Sequence, residues 1–175
     1  KGQVLRHTEN SIFSNRENSR YYRNTQWVQN ALSPQEIERF NQTIEVFRHY
    51  GDQYGFDYLM LLALGYQESR LDQSKRSPQG AVGVMQLLPS TAAGHPVYIP
   101  DIHKLDQNVH AGVKYLRFLY DTYYQEAPMD RLNKVLFTFA SYNAGAARVN
   151  QLRQNAKEMG LNPNQWFRNV EVVAA

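Results

Sequence analysis

At residues 61–70 the chain reads Leu-Leu-Ala-Leu-Gly-Tyr-Gln-Glu-Ser-Arg, an apolar run at helical spacing that carries one carboxyl group, Glu68, to its end. The run predicts a helix from Tyr58 to about Ser69, and a helix that is apolar on nearly all sides lies in the middle of a domain. Burial raises a carboxyl pKa above about 4.3, and the negative end of the helix dipole acts in the same direction. Such an acid can donate a proton near neutral pH. The alternative is a solvated glutamate at a helix end.

The flanking segments predict further helices. Ser33-Pro34-Gln35-Glu36 has the pattern of a capping box, and the helix it starts extends to about Tyr54 and ends at Gly55. Asp57 is expected to cap the central helix. A long loop is predicted over 70–88, with a short extended piece at 82–86, and a short helix follows over 89–93. Two further helices are expected to be capped by Asp106 and by Asp130, and the second of them breaks at 141–145. A helix over 146–159 is closed by Gly160, and a last short helix runs from Asn162-Pro163 through Phe167.

No confident strand is predicted, so the fold class is all-α, a compact helical domain with an irregular centre. Residues 1–32 are polar and have no clear period, and they are expected to be a lead-in or linker from an upstream domain. The domain itself is expected to span residues 33–175.

Composition narrows the function classes. The 175 residues are 42% apolar and 20% charged, as in a globular protein with one real core. A net charge of +3 favours approach to an anionic polymer. The basic residues are dispersed, however, and are not clustered as they are in nucleic-acid-binding proteins. The absence of cysteine excludes disulfides and thiolate metal sites. Twelve tyrosines and two tryptophans suit stacking on sugar rings, although ordinary core packing explains most of them.

The sequence lacks the usual marks of metal and nucleotide chemistry. The five histidines form no HExxH pair, and there is no GxGxxG, phosphate loop or GxSxG elbow. No metal and no cofactor are therefore predicted. Acid–base chemistry on a sugar remains, yet ordinary glycosidases need two carboxylates. The acidic residue nearest to Glu68 in sequence is Asp72, for which a surface or turn role is expected.

One carboxylic acid suffices where the substrate supplies its own nucleophile. In glycan strands that contain N-acetylmuramic acid, the 6-hydroxyl of that sugar can attack its own anomeric carbon. Glu68 could protonate the leaving oxygen and then, as a carboxylate, accept the proton of that hydroxyl. Tyr142 or Asn143, if brought close, could hold the sugar's substituents.

Two signatures in the chain resemble those of family 23 lytic transglycosylases. The first is Glu68-Ser69-Arg70-Leu71 with Ser77 and the run Gly-Ala-Val-Gly-Val-Met-Gln over 80–86, similar to "ES…S…GAxGLMQ". The second is Ala-Ser-Tyr-Asn-Ala-Gly over 140–145, similar to "AYNAG", and the helix over 108–116 resembles the "NI..G..YL" segment between them. The likeness covers roughly residues 35–150, and within the family it is greatest to the membrane-bound F-like members.

The resemblance implies a goose-type-lysozyme-like fold and non-hydrolytic cleavage of the MurNAc–GlcNAc β-1,4 bond, which gives 1,6-anhydroMurNAc ends. Glu68 is then the general acid and base. The implied substrate-binding residues are Ser77, Gly83, Met85, Gln86, Tyr142 and Asn143. The implied partner is the peptidoglycan glycan strand, with no nucleic acid, and the protein is expected to be a monomer of the periplasm or cell envelope, with membrane association through regions outside this chain.

The chain departs from the family pattern in three places. The family's third signature, a Glu-Thr…Tyr-Val helix, is not present before Ala175, which predicts a domain shortened at its C-terminal end. Ser141 stands where alanine is usual, and Ala146 where proline is frequent. Two rival functions stay open: a hydrolytic muramidase, and a non-catalytic module that binds or regulates peptidoglycan.

Overall fold

A computed structural model of the chain describes residues 33–174. Its helices are α1 (Pro34–Tyr54), α2 (Tyr58–Ser69), α3 (Pro89–Ala93), α4 (Leu105–Leu119), α5 (Arg131–Ala144), α6 (Ala146–Glu158) and α7 (Glu171–Ala174). A π-helical turn, Tyr120–Tyr124, continues α4, and a second five-residue turn, Trp166–Val170, leads into α7. Within the described residues, β-pairing is limited to isolated bridges of Val82 with Arg76 and with Leu87. The all-α prediction is confirmed.

The chain divides into two compact units, residues 1–42 and residues 43–175. The described part of the first unit is the start of α1, where the Ile37 amide donates to the Ser33 carbonyl at 3.0 Å. The predicted lead-in over residues 1–32 and the Glu36 side chain of the predicted capping box lie outside the described residues. The predicted domain boundary at residue 33 stays a prediction.

The core of the second unit is built around α2. Leu61, Leu62 and Leu64 are buried there. They pack with buried residues of α1, of the loop after α2 and of α4, namely Phe47, Tyr50, Leu71, Val84, Met85, Val109, Val113 and Leu116. Each fully buried large apolar side chain contributes about 1.5–3 kcal/mol relative to its exposed state. The predicted central position of this helix is therefore confirmed, and its remaining face borders an open groove described below.

The ends of α2 show how Glu68 is positioned. Asp57 caps the start of the helix, as predicted, and its carboxylate accepts the Leu59 amide at 2.8 Å. The helix stops because Arg70 and Leu71 both adopt the left-handed conformation, with φ of 58° and 59°. Such backbone is costly for residues other than glycine. Burial of the Leu71 side chain in the core compensates for that cost and draws the following loop against α2.

Asp130 caps α5 as predicted, and its carboxylate accepts the Asn133 amide at 2.7 Å. Gly160, with φ of 76°, follows α6 as predicted. The Asp106 prediction is wrong: α4 begins at Leu105 after Lys104, and Asp106 lies in the first turn. There its carboxylate accepts the Tyr50 hydroxyl at 2.9 Å, so a tertiary contact uses the group that sequence reasoning assigned to a cap.

Three further local predictions are wrong. Residues 83–86 form a turn instead of an extended piece. The turn is closed because the main-chain groups of Val82 and Leu87 bond to each other, with N–O distances of 2.9 and 3.2 Å. Helix α5 continues through Ser141 to Ala144, since the buried Ser141 hydroxyl is satisfied by the Tyr124 hydroxyl at 2.5 Å. The predicted helix from Asn162 to Phe167 is irregular, and Phe167 and Arg168 are non-helical.

Candidate active site

Glu68 is the second-last residue of α2 and is half-buried. Burial raises the pKa of its carboxyl group, and the nearby ammonium of Lys75 acts in the opposite direction. Lys75 Nζ also donates to the main-chain carbonyl of Glu68. A cation at a helix C-terminus satisfies a carbonyl that has no partner within the helix and offsets the negative end of the dipole. The carboxyl group of Glu68 thus lies between an apolar core and one positive charge.

The loop over residues 70–88 is held in place by buried amide and hydroxyl groups. The Asn108 side chain accepts the Met85 amide at 2.8 Å and donates to the carbonyls of Val82 and Ile102 at 2.8 and 3.1 Å. Gln73 accepts the amide of Val84 at 3.1 Å. The Ser69 hydroxyl donates to the Val84 carbonyl at 2.9 Å. These bonds join α2, the loop and α4, so the loop next to Glu68 has a defined shape.

Tyr142 on α5 brings a second functional group to this place. Its hydroxyl donates to the Met85 carbonyl at 2.7 Å. Its pKa is raised well above the ordinary value, first by burial and then by the negative charge of Glu68 and by Tyr115. The Ser69 hydroxyl, next to Glu68 in the chain, bonds to the Val84 carbonyl, and the Tyr142 hydroxyl bonds to the carbonyl of the following residue, Met85. The structure therefore brings together Glu68 and Tyr142, which are 74 positions apart in the chain.

The other predicted site residues in the loop have clear local roles. The Ser77 hydroxyl accepts the Ala81 amide at 3.0 Å and closes a turn. The Gln86 amide group donates to the Gly83 carbonyl at 2.8 Å, and Gln86 adopts a φ of 46°. Both side chains are partly exposed. Each can still bind a ligand, because these bonds do not use the hydroxyl hydrogen of Ser77 or the side-chain oxygen of Gln86.

Gly83 and Met85 are buried instead of exposed in a cleft. Gly83 has a φ of 75°, and a Cβ atom there would lie 2.5 Å from the Gln73 amide nitrogen and 2.6 Å from that of Asn108. The Met85 side chain is fully buried, and its main-chain carbonyl receives the Tyr142 hydroxyl. Both residues shape the loop by close packing.

Asn143 lies on a different side of the site. It is exposed and lines an open groove of about 390 Å³ between α2 and α5. Gln67, the neighbour of Glu68, lines the same groove. Most of the remaining lining is apolar: Met60, Ala63, Leu64, Leu136, Phe139, Ala140 and Trp166. The consecutive residues Tyr142 and Asn143 thus serve two different surfaces, one facing the loop and one facing the groove.

Asp72 has the turn role that the sequence predicted. Its carboxylate accepts the amide and the hydroxyl of Ser74 at 2.9 and 2.6 Å. Among the described residues, 33–174, the pKa of Glu68 responds to burial and to Lys75. In the same range, no three acidic or histidine residues form a group that could hold a metal ion.

Sequence reasoning missed the positions of Lys75 and Gln73. A cation seven residues beyond the acid is the signal that could have pointed to Lys75. Gln73 gave no signal, because its importance lies in three bonds to distant main-chain groups: Val84, Ile102 and His103. Asn108 begins the segment over 108–116 that resembles the family, but the sequence pattern indicates no role for its side chain.

Residues 45–164, which include Glu68, the loop and Tyr142, match the family described as "Transglycosylase SLT domain". This chain belongs to that family. The prediction from the two signatures is confirmed, and the SLT domain holds every predicted site residue.

The chain is similar to curated proteins named "Membrane-bound lytic murein transglycosylase F". The one from Desulfosudis oleivorans is 39% identical over 138 residues, which is 78% of this chain and 29% of the relative. The one from Shewanella sediminis is 36% identical over 70% of this chain and 24% of its own length. The one from Pseudoalteromonas translucida is 31% identical over 74% of this chain and 27% of its own length. This chain therefore spans less than a third of the curated relatives that it matches. In the described part of the SLT domain, no helix is long and apolar enough to cross a membrane.

Proposed function

We propose that this domain is a peptidoglycan lytic transglycosylase that cleaves the MurNAc–GlcNAc β-1,4 bond and leaves 1,6-anhydroMurNAc ends. The observation that carries the proposal is the half-buried Glu68 carboxyl group with a raised pKa, next to Tyr142, inside the region that matches the SLT family. The relatives' names, which state lytic murein transglycosylase activity for those proteins, support the same substrate class.

The reaction proceeds in two proton transfers on one carboxyl group. Glu68, whose pKa burial raises, donates the proton of its acid form to the glycosidic oxygen as the bond to the MurNAc anomeric carbon breaks. The carboxylate that results accepts the proton of the MurNAc 6-hydroxyl while that oxygen bonds to the anomeric carbon. The enzyme returns to its protonated state, and no water enters the products.

The surrounding residues bind and orient the glycan. The Ser77 hydroxyl, the Gln86 amide and the exposed Asn143 amide supply hydrogen bonds to the saccharide. Tyr142 stands beside the reacting bond, and its hydroxyl is oriented by the Met85 carbonyl. Gly83 and Met85 contribute indirectly, because they give the loop its shape. No cofactor takes part in this scheme.

The decisive experiment is to incubate the domain with purified peptidoglycan and to weigh the released muropeptides by mass spectrometry. Products lighter by one water than the hydrolytic ones are expected. Hydrolytic masses would establish the muramidase instead. If no product is released, the domain is either a binding module or an incomplete catalytic domain, and the same assay on a longer chain separates the two.

The location follows from the proposed substrate, whereas the monomeric state is a separate part of the proposal. A domain that acts on peptidoglycan works in the cell envelope, and we place it in the periplasm as a monomer. Membrane association would come from parts of the protein outside this chain, as the relatives' name "membrane-bound" suggests.

A further inference from the structure

Five aromatic side chains form a continuous row that begins at Tyr142; they are Tyr142, Tyr115, Phe118, His95 and Tyr98, and we call them the aromatic row. Neighbouring ring centroids along it are 5.7, 6.3, 6.0 and 5.9 Å apart. These spacings are those of rings in direct contact. Exposure increases along the row: Tyr142, Tyr115 and Phe118 are partly buried, His95 is exposed, and Tyr98 is 64% exposed. The row thus leads from the neighbourhood of Glu68 to the surface.

The loop that carries the outer end of the row is built to hold Tyr98 outward. Val97, immediately before it, is fully buried, and its carbonyl accepts Lys114 Nζ at 2.8 Å. The Ile99 amide, immediately after it, donates to the Ala92 carbonyl at 2.7 Å. Tyr98 itself has a φ of 53°, which is costly for a residue with a side chain. Firm anchors on both sides maintain this conformation, and strained residues of this kind cluster at ligand sites.

We propose that the aromatic row is an extended saccharide-binding platform that carries a glycan strand away from the cleavage site, with Tyr98 and His95 as its outer subsite. This inference rests on the proposed function, since it takes its ligand class from it. The row adds a binding surface outside the two signatures: His95, Tyr98 and Phe118 belong to neither.

The ligand class follows from the chemistry of the row. Aromatic rings with one polar tip, such as tyrosine, present an apolar face to a sugar ring and a hydroxyl to its substituents. A β-1,4-linked glycan repeats such faces along its length, so it can use several ring positions one after another. A small ligand bound at Tyr142 would gain nothing from Tyr98, because three other rings lie between the two.

The test separates the outer subsite from the cleavage site by the length of the glycan. In the Glu68→Gln background, which prevents turnover, binding of the tetramer and the octamer of β-1,4-linked N-acetylglucosamine is measured by calorimetry. We expect the octamer to bind more tightly than the tetramer. Tyr98→Ala should weaken octamer binding about fivefold and leave tetramer binding unchanged. Tyr98→Phe, which keeps the ring, should restore octamer binding.

A matched control is Phe167→Ala, because Phe167 is 53% exposed and lies outside the aromatic row. It should leave the affinity for both oligomers unchanged. If Tyr98→Ala disturbs folding in circular dichroism, His95→Ala probes the same subsite. Equal affinity for both oligomers, no octamer binding, or equal losses for both in the alanine variants would overturn the proposal. The binding measurements do not require turnover. If the octamer binds more tightly than the tetramer but no anhydro products are released from peptidoglycan, the proposed function is wrong and the proposed saccharide platform still stands.

Discussion

At the scale of single residues, two opposing influences set the protonation of Glu68. Burial against the core of α2 raises its pKa, and the Lys75 ammonium lowers it. In the proposed mechanism, this balance suits a carboxyl group that first donates a proton and then accepts one. Lys75 belongs to neither the core nor the helix, yet its contact with the Glu68 carbonyl ties the loop to the acid.

Replacing Glu68 by glutamine removes the proton donor while keeping the size and polarity of the side chain. We expect turnover of peptidoglycan to fall by about a thousandfold or more, and glycan binding to be largely retained. Product release followed by mass spectrometry measures the first quantity, and a pull-down on insoluble peptidoglycan measures the second. Full turnover by this variant would disprove the assigned role of Glu68.

Lys75→Met tests the influence of the neighbouring charge. Removing the cation raises the pKa of Glu68 further. In the proposed mechanism the acid acts in its protonated form, so activity is expected below this pKa and should be lost as the pH rises through it. The alkaline limb of the kcat/KM profile should therefore move to higher pH, and a carbon-13 NMR titration of the Glu68 carboxyl group should show the same direction.

Lys75→Arg is the control, because it keeps the positive charge and should keep the wild-type alkaline limb. If the methionine variant loses activity at every pH without a change in this limb, the role of Lys75 is limited to holding the loop. The NMR titration gives the answer without turnover.

At the scale of elements, the site depends on how the loop over 70–88 is joined to α4. The Asn108 side chain serves three main-chain groups, two in the loop and one at Ile102. Because all three bonds are buried, water cannot replace a lost partner. One side chain on α4 thereby fixes the segment that carries Gln86 and the Met85 carbonyl.

Asn108→Ala should lower the free energy of unfolding by about 3 kcal/mol, since each buried group left without a partner costs about 1–3 kcal/mol. Urea denaturation measures this loss. Gln107→Ala, at the neighbouring and partly exposed position of α4, should change stability by less than about 0.5 kcal/mol. Similar losses in the two variants would mean that the amide network does not hold the loop.

At the scale of the whole second unit, α4 is joined to the residues of α1 that follow Gln42 by a cluster of ionisable side chains. The Tyr50 hydroxyl bonds to Asp106, and the Tyr54 hydroxyl lies 2.8 Å from the His110 Nε2 atom. The rings of Tyr50 and His110 stack at 4.4 Å. Burial lowers the pKa of His110; Lys114 and, more weakly, His49 act in the same direction, and Asp106 opposes them.

This cluster predicts a loss of stability in acid. The folded-state pKa of His110 lies below that of the unfolded chain, about 6.5, so the unfolded state binds more protons between the two values. The contribution of His110 to the free energy of unfolding is complete above about pH 6.5 and is lost as the pH falls through the folded-state pKa. His110→Gln should weaken this pH dependence in urea unfolding. His103→Gln, at an exposed loop position, should preserve it, and an unchanged profile in the His110 variant would contradict the assignment.

Much of the fold could be predicted because its signals are local. The apolar run that ends in Glu68, the aspartates that cap α2 and α5, and the spacing of the two signatures are all properties of neighbouring residues. Predictions failed where a distant partner changed the local preference. Asp106 serves Tyr50, which lies 56 residues away, and Ser141 continues α5 because Tyr124 satisfies its hydroxyl group.

The sequence by itself determined that this chain is a helical domain with a single acid at the end of its central helix, and that it belongs to the SLT family. Only the tertiary structure decided what surrounds that acid: the Lys75 contact, the Tyr142 hydroxyl on a carbonyl 57 residues away, the buried positions of Gly83 and Met85, and the aromatic row. Local patterns set where helices begin and end, since caps and periodicity act within a few residues. Which side chains meet depends on the packing of helices that are far apart in the chain, and that packing sets burial, charge and hence the pKa of Glu68.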